Sequence, residues 1–234
     1  MVTQLPQSIE YPESDGKPMA DNTKQFRWIV VVKENLERLF VTDPNVFVAG
    51  DLLWYPIEGN NKICTAPDAL VVFGRPKGDR GSYKQWEEGN LPPQVVFEIL
   101  SPCNRPSEME RKLLFYDRYG VEEYYLYDPE QDKLWGWIRQ DEFLSAIEDI
   151  TNWVSPRLQI RFDTTVKPLQ IYRPDGDRFL NFIELDEQLQ QERQRAEQER
   201  QRAEQERQRA EQERQRAERL AERLREMGIN PDEI

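Results

Sequence analysis

The chain has 234 residues, enough for one sizeable core plus an appendage. Its formal net charge is −12, which argues against non-specific affinity for nucleic acid through a broad positive surface and leaves room only for a local basic patch. Histidine is absent, so nucleophile activation, proton shuttling and metal ligation by imidazole are excluded together. Any metal chemistry must then rest on oxygen ligands and a hard cation.

Mean hydropathy is −0.85, low for a purely globular chain. The stretch from Glu187 to Glu226 accounts for it, with eleven Arg, eleven Glu and almost nothing apolar beyond Ala and a few Leu. That segment is neutral, so the globular part carries nearly all the acidity. The two cysteines, Cys64 and Cys103, and a start (Val2 to Ser8) without basic or apolar signal character predict a cytoplasmic chain with free thiols. No apolar run approaches membrane-spanning length.

Residues 1–21 are polar and Pro-containing and read as an arm. Asp21 or Asn22 can cap a helix running from about Thr23 to Phe40. Phe26, Ile29, Val30, Leu36, Leu39 and Phe40 mark its expected apolar side. Val46 to Tyr55 reads as a strand, and Cys64 to Phe73 as the next, with Pro67 near its start. Gly74 to Pro93 is a long polar loop with no evident element of its own, which makes it a candidate for function. Tyr83 and Trp86 within it could stack on bases or simply pin the loop.

Gln94 to Leu100 is an apolar run of strand length interrupted by one carboxylate, Glu98. A strand this apolar is covered on both faces, and a carboxylate there needs a cation or a hydrogen-bond network. Asn104 to Ser107 opens a helix of about Glu108 to Tyr119, stopped by Gly120. Val121 to Tyr127 and Lys133 to Arg139 form a hairpin across the turn Asp128 to Asp132. Phe143–Ile147, Leu158–Phe162 and Leu169–Tyr172 continue the β-rich part, and helix resumes near Asn181. From Glu192 the motif Glu-Arg-Gln-Arg-Ala-Glu-Gln repeats every seven residues, with Ala196, Ala203, Ala210 and Ala217 at one heptad position. Glu199, Glu206 and Glu213 occupy the other seam position, where coiled coils bury larger apolar groups. A long solvated helix held by local Arg/Glu pairs is the expectation, with weak self-association as the alternative. Gly228 to Pro231 is its expected end.

Asp68, alone, fits an ordinary turn or edge aspartate, and Glu98, alone, fits a buried Glu paired with a basic side chain. Together they are two carboxylates from adjacent strands, which would require a divalent cation or a shared proton. Lys112 lies on the helix after the Glu98 strand, with Phe115, Tyr116 and Tyr119 near the same side; alone it would pass for a snorkelling surface lysine.

Pro67-Asp68, Glu98-Ile-Leu-Ser-Pro102, Lys112 with Tyr116, and Gly120-Val-Glu-Glu-Tyr-Tyr-Leu-Tyr-Asp-Pro129 resemble the putative restriction endonuclease (Uma-two) family of the PD-(D/E)XK nuclease superfamily. The resemblance spans roughly Pro18 to Arg139. It implies an α/β, restriction-endonuclease-like fold, a mixed central sheet flanked by helices, here with a long charged C-terminal helix. The implied division is an arm (1–21), a nuclease-like domain (22–180) and a heptad-repeat helix (181–234). By the same resemblance Asp68 and Glu98 match the metal-binding acids, with the Ile99 carbonyl as a further ligand of Mg²⁺ or Mn²⁺. The superfamily usually places Lys two residues after the second acid; here Leu100 stands there, and Lys112 matches the family members whose lysine has moved to the next helix. Asp68, Glu98 and Lys112 would then hydrolyse DNA phosphodiesters. Arg75, Lys77, Arg80, Lys84, Arg105 and Arg111 are candidate phosphate contacts, though each singly also fits ordinary surface charge. No organic cofactor or membrane is implied, and cutting both strands of a duplex suggests a homodimer. The competing readings are a catalytically inactive module for nucleic-acid binding or for assembly through the C-terminal helix, and a metal-dependent hydrolase of another substrate.

Overall fold

The computed structural model describes residues 9–16 and 18–227. The expected start and end features at Val2–Ser8 and Gly228–Pro231 lie outside these. The chain divides into two units, residues 1–181 and 182–234.

The first unit is built on a six-stranded mixed sheet. Its strands are β1 (Val46–Ala49), β3 (Ala69–Phe73), β5 (Val95–Ile99), β6 (Glu123–Asp128), β7 (Lys133–Gln140) and β8 (Phe143–Ala146), in that spatial order. Within this sheet only β5 and β6 run parallel. Their connection is helix α2 (Pro106–Arg118), as a parallel pair requires a crossover. Two small pairs complete the β-structure: β2 (Trp54–Tyr55) with β4 (Tyr83–Lys84), and β9 (Arg161–Asp163) with β10 (Gln170–Tyr172).

Side-chain alternation along β5 divides the core. Val95, Phe97 and Ile99 face helix α1 (Thr23–Leu39) and the strands β9 and β10, while Val96 faces α2, Tyr116 and Tyr124. Glu98 follows Val96 onto the α2 side. The rule that sets every apolar contact of the strand therefore also aims its one carboxylate at the helix that comes next.

Three expectations need correction. The buried face of α1 is Gln25, Ile29, Val32, Asn35 and Leu36, whereas Phe26 and Val30 are exposed. Asn35 stays inside because its amide group donates to the Val31 and Leu180 carbonyls and accepts from the Leu180 N–H. The strand expected over Val46–Tyr55 breaks at Gly50–Asp51, where Asp51 adopts a left-handed φ of 49°. A Cβ on Gly50 would lie 3.1 Å from the Asp68 carbonyl oxygen, so the two backbones pass close together there. The loop from Gly74 to Pro93 is not structureless: it holds β4 and a 3-10 turn, Gln85–Glu88.

Asn22, not Asp21, caps α1, its Oδ1 accepting from the N–H groups of Lys24 and Gln25. Proline at the first position of α2 presets the helical φ, and Gly120 at φ 89° lets the Val121 N–H turn back to the Tyr116 carbonyl. Arg139 on β7 then donates to the Val121, Asp117 and Glu142 carbonyls, tying the end of α2 to the sheet.

The second unit is α3 (Phe182–Glu226), a continuous helix of 45 residues with none buried. Arg214 pairs with Glu218 at 3.0 Å. Gln201, Gln208 and Gln215 each donate to the glutamate four residues earlier. Among the described residues no helix is long and apolar enough to cross a membrane.

Candidate active site

Asp68 stands immediately before β3, and Ala69 pairs with Phe97, so Asp68 and Glu98 come from adjacent antiparallel strands. Both are buried, at 9% and 3% exposure. Asp68 Oδ2 accepts from the Ile99 N–H at 2.6 Å. Lys112 Nζ donates to Glu98 Oε2 at 2.7 Å, and the Tyr116 hydroxyl donates to Glu98 Oε1. Lys112 and Tyr116 are one helical turn apart, which lets α2 grip both oxygens of one carboxylate from one face. No guanidinium lies between the acids among the described contacts.

These groups line a pocket of about 660 Å³. Six carboxylates face it, from Asp15, Asp21, Asp51, Asp68, Glu98 and Glu108, against Arg111 and Lys112. Burial and the neighbouring Glu98 push the Asp68 carboxyl well above its ordinary value, more than Lys112 and the Ile99 N–H bring it down. Burial works to lower the Lys112 ammonium, but the Glu98 and Asp68 carboxylates more than offset this and raise it. Lys112 is thus a donor held in its charged form and cannot accept a proton from water. Burial, then Asp15 and Glu98, also raise Asp51 despite the pull of Lys112. Among the described residues the buried Tyr124 hydroxyl has no hydrogen-bond partner.

The donor set suits a hard cation. Two carboxylates and a backbone carbonyl are oxygen ligands of the kind Mg²⁺ and Mn²⁺ accept, and such ions keep several waters rather than demanding a full protein cage. Among the described residues no group of three or more Asp, Glu or Cys side chains could hold a metal ion. Burial and the neighbouring Glu98 hold the Asp68 carboxyl above its ordinary value. That is the state a cation would relieve.

The six basic residues proposed as phosphate contacts fare unequally. Arg75 and Arg80 are both bound to Glu88, at 2.8 Å and 2.6 Å. Arg80 also donates to the Pro76 and Gly78 carbonyls and lies 3.9 Å over the Phe47 ring. These two hold their own loop together and are not spare cations. Lys84 pairs loosely with Glu87 at 3.4 Å. Lys77 and Arg105 are exposed, and of the six only Arg111 lines the pocket. Tyr83 is fully buried with its hydroxyl on the Leu91 carbonyl, and Trp86 packs against Tyr11 at 4.9 Å. Both pin the loop, and Tyr83 has no face open to a base.

Sequence reasoning missed Asp51 and Gln25, which line the pocket, and Ser101, which touches the lining residue Asp21. Asp51 was absorbed into a strand, although the Gly-Asp pair marks a break. Gln25 interrupts an apolar helix face, and its Nε2 donates to the Ile99 carbonyl at 2.8 Å. Ser101, two residues past the end of β5, donates its hydroxyl to Asp21.

The family model described as Uma2, Putative restriction endonuclease, matches residues 7–167. The chain belongs to this family, and a nuclease-like function goes with it. A solved structure described as a putative nuclease belonging to DUF820, from Anabaena variabilis ATCC 29413, is similar at 16% identity with a TM-score of 0.44. That likeness covers 62% of this chain and 79% of the other. No curated protein matches the chain.

Proposed function

We propose that the protein is a Mg²⁺- or Mn²⁺-dependent endonuclease that hydrolyses DNA phosphodiester bonds. The observation that carries this reading is the meeting of Asp68, Glu98 and Lys112 in one acidic pocket from three separate parts of the chain. Asp68, Glu98 and the Ile99 carbonyl would hold the ion. When bound, it supplies an acidified water and a positive charge on the scissile phosphate. Lys112 directs its ammonium at the same space, orienting the attacking water and offsetting phosphate charge. Tyr116 fixes the Glu98 carboxylate and frees Lys112 from being its only support. Hydrolysis adds one water across a P–O bond and leaves one phosphate monoester end and one hydroxyl end.

Purified full chain incubated with plasmid and linear DNA should nick or cut only when Mg²⁺ or Mn²⁺ is added, and Asp68→Ala and Glu98→Ala should be inert. The acidity of the first unit and the internal use of Arg75 and Arg80 favour the second reading, a nuclease-fold module that does not cut. DNA binding with no cleavage under any divalent ion would establish that reading instead.

The pocket's charge distribution predicts how DNA contacts divide. Arg111→Ala should weaken DNA binding across sequences and reduce the slope of log K against log salt by about one. Arg80→Ala should leave that slope unchanged and lower thermal stability. Fluorescence anisotropy over a salt series checks both, and an unchanged slope for Arg111→Ala would remove it from the interface.

A further inference from the structure

Ile99 pairs in register with Tyr127 of β6 on one side, but on the β3 side its main chain is held by side chains. β3 pairs with β5 from Val71↔Val95 to Ala69↔Phe97 and extends no further. Past Phe97 the edge of β5 on that side is open. Ile99 would present an unsatisfied N–H and C=O there, which is costly when buried. Asp68 takes the N–H and Gln25 takes the C=O, at 2.6 Å and 2.8 Å.

Gln25 is itself fixed. It is 6% exposed, its Oε1 accepts from the Asp21 N–H at 2.8 Å, and it lines the pocket beside Asp68 and Glu98. Because Oε1 is engaged by an N–H group, the NH₂ end is the one that must face Ile99, so the amide has one orientation. A carbonyl oxygen has two lone pairs, and Gln25 occupies one of them.

We propose that Gln25 is a positioning residue for the cation, acting through the Ile99 carbonyl, and that it biases the site toward small, geometrically strict ions. This rests on the metal-dependent reading above. A carbonyl clamped on one lone pair presents the other in a fixed direction. Mg²⁺ requires near-ideal octahedral ligands, whereas Ca²⁺ tolerates irregular ones. Freeing the carbonyl should therefore weaken Mg²⁺ more than Ca²⁺. Loss of a group that orients a ligand typically costs 10- to 100-fold in affinity.

The test is calorimetric titration of the full chain with MgCl₂, MnCl₂ and CaCl₂. Gln25→Met, of similar length and without a donor, is expected to lose about tenfold or more in Mg²⁺ affinity. Its Ca²⁺ affinity should change distinctly less. Equal losses for both ions, or none, would overturn the inference while leaving the metal site standing. No cation binding by the native chain, or binding that survives in Asp68→Ala, would overturn the functional reading and the inference with it. Should Gln25→Met fail to fold, the native chain supplies the second measurement. The ¹³C carbonyl resonance of Ile99 must shift on Mg²⁺ addition, and a static resonance under saturating Mg²⁺ refutes the proposal.

Discussion

Asp68→Asn should abolish metal-dependent cleavage and at the same time raise the melting temperature of the metal-free protein. The amide keeps the shape of the carboxylate, and its oxygen can still accept from the Ile99 N–H. What disappears is a negative charge buried beside Glu98. A metal ion contributes several kcal/mol of transition-state stabilisation, so losing an anionic ligand should reduce the rate about 10³-fold or more. For stability the sign is opposite. The folded-state value of Asp68 is raised above its unfolded value, so the folded protein binds the extra proton in the window between them. Stability from this group therefore falls as pH rises through that window, and the cost is fully present above the folded value. Asparagine has no such cost, and each kcal/mol regained corresponds to about 2–4 °C in a chain of this size. Scanning fluorimetry in EDTA, between about pH 5 and about pH 8, should show native and variant diverging as pH rises. Mg²⁺ should raise the native midpoint most at the alkaline end and leave the variant unmoved. A variant that melts below the native chain in EDTA would show that the buried charge is well compensated without a cation.

Lys112→Met should cost both stability and activity, and a paired substitution should separate the two. The Lys112–Glu98 pair is 2.7 Å long, with Glu98 only 3% exposed. Removing one member of a buried pair typically costs about 3–5 kcal/mol. Because Lys112 is 21% exposed, its loss should cost about 2–3 kcal/mol. The double variant Glu98→Gln with Lys112→Met removes both charges, and Gln still offers an oxygen to the Tyr116 hydroxyl. It should recover most of the lost stability in urea titrations yet remain unable to cut DNA. Lys112→Met alone should slow cleavage about 10²- to 10³-fold, the effect of deleting one donor aimed at developing charge. Native-like cleavage by Lys112→Met would remove the ammonium from the chemistry and leave it a structural partner of Glu98.

Of these three residues only Glu98 stood out by itself; Asp68 and Lys112 each fitted an ordinary reading and were picked out beside it through their resemblance to the family's motifs. Glu98 broke an apolar strand, Asp68 followed a proline at a strand entrance, and Lys112 stood one turn before a tyrosine on a helix that had to cover that strand. The polar groups of α1 were not legible. Gln25 and Asn35 belong to the inward set 25, 29, 32, 35, 36 only if polar residues are admitted to it, and their partners, Ile99 and Leu180, are distant in the chain. Counting apolar residues alone selected Phe26 and Val30 instead. Arg75 and Arg80 misled because a cation in a polar loop looks the same whether it awaits a phosphate or is already bound to a neighbouring glutamate. For Trp86 the sequence left both readings open, because its packing partner Tyr11 is distant in the chain.

The helix α3 is assembled from interchangeable units. The glutamine–glutamate contacts of its repeat segment recur every seven residues and each spans one turn, so each is worth a few tenths of a kcal/mol. Inserting or deleting one repeat would leave the contacts of the others unaltered while changing the helix by about 10 Å out of a length of about 67 Å. Such an element behaves as an adjustable ruler: its reach can drift through gene-level expansion of a short repeat, in fixed increments, with no compensating change needed among its own side chains.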